Sequence, residues 1–172
     1  QAVRAIGLIV ETIFDSTNQI HGDSIVTRLI SGGGVGDVLD TDAILSRLDQ
    51  IRDAGRYIRS VTLYLEERDQ VFDTEYGFSS LASFPDAGWI EAYRDDERQI
   101  LLLDHRQLLV SRYQSGSESA VITIITKLPF GELRQRGALV VNIDPVAIYQ
   151  DVIVRMGLSG TNELVVLNRT GE

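Results

Sequence analysis

Val61-Thr62-Leu63-Tyr64-Leu65-Glu66 is where the chain changes its period. Val61, Leu63 and Leu65 alternate with Thr62, Tyr64 and Glu66, so the aliphatic side chains share one face of a strand and Tyr64 points to the other. Upstream the period is helical. Val3, Ile6, Val10, Ile13 and Ile20 follow a heptad-like spacing with Thr17 in the vacant place, which predicts a long amphipathic helix. Its stripe is expected to pack on the chain's own sheet, or to form a helix–helix seam in a homodimer. Residues 24–30 read as a second helix, ended by Ser31-Gly32-Gly33-Gly34. A third, capped by Asp40 or Thr41, sets Ile44, Leu48 and Ile51 on one face up to Gly55.

Downstream the pattern is mostly that of strands. Glu67-Arg68-Asp69 is a polar turn, and 71–76 returns as a second strand. Residues 85–95 read as a short helix carrying Trp89 and Tyr93 on one side. Residues 100–104 and 108–113 read as strands joined around His105-Arg106, and 114–119 as a Ser/Gly/Glu turn. Residues 120–128 and 138–143 are apolar on both faces and rich in Val and Ile, the mark of central strands. Asp144 then caps a helix with Pro145 in its first turn, running to about Met156, and 163–168 form one more strand. The fold class is therefore α+β: a long N-terminal helix packed on an antiparallel sheet, followed by the start of a second, smaller module. The chain divides into an N-terminal helical region (1–56), a sheet module (57–144), and a linker helix with a partial second module (145–172).

Composition excludes several functions. With 172 residues, 44% hydrophobic and 24% charged, the chain can bury a core. A net charge of −9 disfavours a nucleic-acid surface, which needs clustered Lys and Arg. There is no cysteine, so disulfide scaffolds and thiol chemistry are absent. His21 and His105 stand alone, without a partner at helical metal-site spacing, so no metal is expected. Gly32-Gly33-Gly34-Val35-Gly36 lacks the Gly-Lys-Ser/Thr ending of a phosphate loop and follows a helix rather than a strand. No cofactor and no catalytic constellation can be assigned, and the sequence reads as a non-enzyme. No apolar run approaches the ~18 residues of a membrane helix. Opening on Gln1 inside a helical pattern, with Met156 its single methionine, the chain reads as a piece of a longer protein.

Several segments carry a family resemblance. Tyr57-Ile58-Arg59-Ser60-Val61-Thr62-Leu63-Tyr64-Leu65 resembles the first sheet strand of Cache sensory domains, the extracytoplasmic relatives of PAS domains. Asp86-Ala87-Gly88-Trp89 is similar to the opening of their short helix, and 136–144 to the last strand of their membrane-distal module. Residues 162–171 resemble the first strand of their membrane-proximal module. The resemblance implies the extracytoplasmic part of a bacterial transmembrane receptor, tethered by membrane helices, whose output is a histidine kinase or an AraC-type regulator. It also implies a small-molecule pocket on the distal module. Amino-acid-binding Cache domains resemble one another in an Arg two residues before the Trp and a Tyr directly after it; here those places hold Ala87 and Ile90.

The expected ligand site is lined by Tyr64, Trp89, Tyr93 and Arg112. Tyr64 faces away from Val61, Leu63 and Leu65, Trp89 and Tyr93 form an aromatic wall, and Arg112 offers a bidentate charged contact. With the amino-acid clamp missing, a neutral polar ligand such as a sugar is the expected partner. The alternative is an interaction or dimerisation module without a small ligand. Because no metal is expected, stripping the chain with a chelator should leave its melting temperature unchanged. A fall of many degrees, restored by one added metal, would contradict this reading.

Overall fold

The computed structural model of the chain describes residues 15, 24–30, 38–109, 118–129, 131 and 134–151. Its helices are α1 (Ser24–Ile30), α2 (Val38–Ala54), α3 (Ile90–Asp95) and α4 (Pro145–Tyr149). Its strands are β1 (Ile58–Leu65), β2 (Gln70–Asp73), β3 (Gly77–Ser80), β4 (Ile100–Leu109), β5 (Glu118–Leu128) and β6 (Gly137–Ile143). These make one six-stranded sheet in the order β3-β2-β1-β6-β5-β4, each neighbouring pair antiparallel. The chain lays down β1 to β3 outward from the centre, crosses the sheet through 81–95, and returns inward from β4 to β6, which closes on β1.

That closure puts β1 and β6 in the middle, where both faces must be covered. All seven residues of β6 are buried, and so are all of β1 except Arg59. On one face Val61, Leu63 and Leu65 join Leu139, Val141, Ile143, Ile124 and Leu128. Ile44, Leu48 and Ile51 of α2, with Val26, Leu29 and Ile30 of α1, pack on this surface. On the other face lie Tyr64, Val71, Ile125, Ala138 and Val140, covered by the cap, residues 81–95. The alternation at 61–65 is thus realised as drawn from sequence, with Tyr64 opposite the aliphatic set. The join at β1–β6 is tight. Gly137 sits opposite Leu65, and a Cβ on it would lie 2.1 Å from the carbonyl oxygen of Tyr64, so no side chain fits there.

Several boundaries differ from the sequence reading. Helix α2 starts at Val38, so Asp40 and Thr41 lie inside its first turn rather than capping it. The segment 71–76 is not one strand. Asp73 ends β2 because its Oδ1 accepts from the Glu75 and Tyr76 amides at 2.7 and 2.9 Å, which reverses the chain into β3 through Gly77 at φ +75°. Strand β3 escaped notice because Gly77-Phe78-Ser79-Ser80 carries little apolar alternation. Residues 85–89 are not helical, and the short helix begins only at Ile90. Residues 100–109 form a single strand that runs through His105-Arg106 instead of breaking there. Asp144 does cap α4, its side chain accepting from the Val146 and Ala147 amides at 2.8 and 3.1 Å.

The apolar stripe from Val3 to Ile20, the far end of the last helix and the strand at 163–168 lie outside the described residues; Asp15 itself is helical. The packing of α2 generates a direct expectation. Leu48 is fully buried between helix and sheet. Leu48→Ala should cost about 2–5 kcal/mol in urea unfolding with an unchanged slope. A cost below ~1 kcal/mol would mean that α2 does not seal this face.

Candidate functional site

The two faces of the sheet differ in kind. The helix face is aliphatic, whereas the cap face mixes aromatic and polar side chains that are all removed from water. Its polar half begins with a bulge in β4. Leu103 pairs with Thr123 but Arg106 pairs with Val121, so β4 carries one extra residue between them. Simple alternation from Leu101 and Leu103 would send Arg106 to the helix side; the extra residue returns it to the cap side.

There Arg106 closes a network. Its Nη1 and Nη2 donate to Asp86 Oδ1 and Oδ2 at 2.6 and 3.0 Å, a bidentate ion pair with side-chain exposures of 11% and 5%. Its Nε donates to Thr123 Oγ1 at 2.9 Å, and Nη2 also reaches Asn142 Oδ1 at 3.1 Å. Thr123 Oγ1 donates to the same Asn142 oxygen at 2.7 Å. The Asn142 Nδ2 donates to Ser60 Oγ and Asp86 Oδ2, both at 3.0 Å. Asn142 is fully satisfied, as a buried amide must be. Ser60, Asn142 and Thr123 are opposite one another on β1, β6 and β5, so the register itself assembles the sheet side of this cluster. Gly88 completes the fit from the cap, since a Cβ there would stand 3.3 Å from Arg106 Nη1.

A second buried acid lies along the same face. Asp73 is 2% exposed, and its Oδ2 accepts from Thr62 Oγ1 at 2.6 Å. Burial raises its carboxyl to about 6, against the opposing pull of the Thr62 hydroxyl and the two turn amides.

The aromatic half brings together three of the four residues expected from sequence. Tyr64, Trp89 and Tyr93 meet edge-to-face, with ring centroids 5.7 Å (Tyr64–Trp89), 5.8 Å (Tyr64–Tyr93) and 6.3 Å (Trp89–Tyr93) apart. They are 1%, 0% and 3% exposed, so in this state they close on one another. Tyr93 donates to Glu66 Oε2 at 3.0 Å, and Lys127 Nζ sits 5.2 Å over its ring while bonding the Asp96 carbonyl. Burial and the adjoining Glu66 carboxylate push the Tyr93 phenol up; burial also raises that of Tyr64, against the pull of Arg94. The Trp89 indole N–H is buried and has no hydrogen-bond partner among the described residues. Arg112 lies outside the described residues.

The sequence reading did not single out Ser60, Thr62, Asp73, Asp86, Arg106, Thr123 or Asn142. A signal for some of them was present. Asn142 and Thr123 are polar residues in strands otherwise read as apolar on both faces, and Ser60 and Thr62 share the parity of Tyr64. The bulge that re-aims Arg106 left no local mark.

No family model matches the chain, and no curated protein matches it. Solved structures do. One is the domain of a protein assigned to the sensory box/GGDEF family of Vibrio parahaemolyticus, with a TM-score of 0.58 at 7% identity, covering 83% of this chain and 56% of that one. Another is the periplasmic sensory domain of a Campylobacter jejuni chemoreceptor, with a TM-score of 0.52 at 13% identity, covering 94% and 61%. A third is the extracellular domain of a protein assigned as a histidine kinase, with a TM-score of 0.51 at 10% identity, covering 88% and 60%. At these identities the likeness is one of fold: this chain has the α+β fold found in sensory domains of bacterial receptors. It spans only 56–61% of the length of these three structures.

The Asp86–Arg106 pair gives a sharp expectation. Arg106→Ala leaves a buried carboxylate without its guanidinium and should destabilise the chain by about 3–5 kcal/mol. The double variant Asp86→Asn/Arg106→Met, which removes both charges, should recover most of that loss in urea unfolding. A single variant as stable as the parent would show that the pair does not hold the cap.

Proposed function

We propose that this chain is the extracytoplasmic small-molecule sensing region of a bacterial transmembrane receptor, of the Cache, PAS-like kind, and not an enzyme. In this reading the ligand binds on the cap face of the sheet, between β1, β6 and β5 below and residues 81–95 above. The observation that carries it is the Trp89 indole N–H, fully buried on this face and without a partner among the described residues. A buried donor without an acceptor costs about 1–3 kcal/mol, a cost that a ligand oxygen in its place removes. Support also comes from the contrast between faces: one sealed by aliphatic packing, the other built of aromatic rings, hydroxyls, an amide and a balanced ion pair. The shared fold with periplasmic and extracellular sensory domains agrees with this placement.

Chemistry narrows the ligand. The charges of Asp86 and Arg106 are already spent on each other; beside them the face offers hydroxyls, the Asn142 amide and aromatic rings, with the raised acid of Asp73 and, at the Tyr93 end, Glu66 and Lys127. Tyr64, Trp89 and Tyr93 supply the apolar wall on which a ring stacks once the cap parts, and Arg112 supplies a polar contact. A neutral polar molecule such as a sugar suits that set better than a free amino acid. In the whole receptor, membrane helices tether the region and the output is a histidine kinase or an AraC-type regulator.

The test is a thermal-shift screen against sugars and other neutral metabolites, because a ligand that binds only the folded state raises the melting temperature. Affinity is then measured by calorimetry on Trp89→Phe, which keeps the packing but removes the N–H, and on Arg112→Ala. Losing the indole hydrogen bond should weaken binding about tenfold or more. Folded variants that bind as tightly as the parent would place the site elsewhere.

A further inference from the structure

Asp73 is buried at the end of β2, and among the described residues no cation pairs with it. Its surroundings are compatible with both protonation states. As a carboxylate it accepts from Thr62 Oγ1, and from the Glu75 and Tyr76 amides. When Oδ2 takes up a proton, the bond to Thr62 reverses: the new O–H donates and the threonine oxygen accepts, as a hydroxyl can. The two amide bonds to Oδ1 persist but weaken, since a neutral acid is a poorer acceptor than a carboxylate.

The turn that these bonds hold touches both layers of the fold. Thr74 is bound to β1 through its own amide and its Oγ1, at 3.1 Å each from the Val61 oxygen and nitrogen. The Thr74 carbonyl accepts from Arg52 Nη1 of α2 at 3.4 Å. On the opposite side the Tyr76 ring packs edge-to-face on Phe84 of the cap, 5.8 Å between centroids. A change in Asp73 therefore reaches α2 through residue 74 and the cap through residue 76.

The geometry points to Asp73 as a proton-binding switch: in mildly acidic surroundings it takes up a proton and loosens the turn 74–76, which joins the cap to α2. The charged and titratable groups around it are few. Glu75, in the turn, opposes its ionisation and is itself paired with Arg59 of β1 at 3.5 Å. Tyr76 lies in the combined field of Asp73, Glu75, Asp86 and Arg59, so its phenol is raised by burial and then by these acids. Asp86, of the cap, is neutralised by Arg106 of β4. Burial raises the Asp73 carboxyl from 3.8 to about 6. Its folded-state proton affinity thus exceeds that of the unfolded chain. Its contribution to stability grows as pH falls through about 6 towards 3.8 and is absent above that window.

The switch does not depend on the small ligand and is tested without one. In the 172-residue chain the backbone amides of Glu75 and Tyr76 should titrate together near pH 6 in nitrogen–proton spectra. The fluorescence of Trp89, the single tryptophan, which lies in the same cluster as Tyr76 and Phe84, should follow with the same midpoint. Asp73→Asn, which copies the protonated acid in shape and bonding, should fix both signals at their acid values and abolish the rise in melting temperature on acidification. Glu75→Gln should keep the transition. Amides that do not titrate between pH 5 and 7.5, or a titration that persists unchanged in Asp73→Asn, would overturn the proposal. So would tryptophan fluorescence that stays flat while the amides move. If Asp73→Asn does not fold, the side-chain carboxyl carbon of Asp73 in the parent decides alone: a midpoint within the ordinary carboxylate range sinks the idea.

Discussion

A guanidinium and a carboxylate, buried together at the edge of the sheet, set the terms for the rest of the molecule. Asp86 arrives from the cap and Arg106 from a bulge in β4, and neither tolerates burial alone. Their remaining hydrogen-bonding capacity is taken up by Thr123 and Asn142, and Asn142 in turn donates to Ser60, so the network ties the cap to β4, β5, β6 and β1 at once. At the far end Tyr93 anchors the same segment to Glu66 and Lys127. Between these two anchors sits Trp89, sealed, its indole N–H without a partner among the described residues.

This arrangement divides labour between the two faces. The helix face is apolar and close-packed, the kind of interface that transmits strain because it has little room to deform. The cap face is held by directional polar contacts, which have discrete arrangements and can be exchanged for contacts with a ligand. Strands β1, from Ser60 onward, and β6 contribute alternate side chains to the two faces. The two faces are therefore built on the same two central strands.

Legibility from sequence followed the range of the physics. Period is a local property, so the faces of β1, the buried positions Ile44, Leu48 and Ile51, and the Asp144 cap were readable residue by residue. The aromatic wall was readable too, because Trp89 and Tyr93 sit one helical turn apart and Tyr64 has the opposite parity to its aliphatic neighbours. What escaped depends on partners far along the chain. Arg106 is on the cap face only because of a bulge set by pairing with β5, and Asn142 matters only because register places Ser60 and Thr123 beside it. Asp73 looked like one residue of a strand, whereas its side chain ends that strand by binding the turn that follows. Strand β3 has almost no intrinsic signal and exists because β2 offers it an edge.

The central claim is that the cap face is where a small molecule is recognised. Because the chain has one tryptophan, its indole N–H gives a single resonance from the middle of that face. That resonance should be followed during titration with a molecule that stabilises the chain against heat. The account predicts a large downfield shift of the indole proton as it gains an acceptor, saturating with the dissociation constant measured by calorimetry. An indole signal that stays in place while calorimetry reports saturable binding would contradict it.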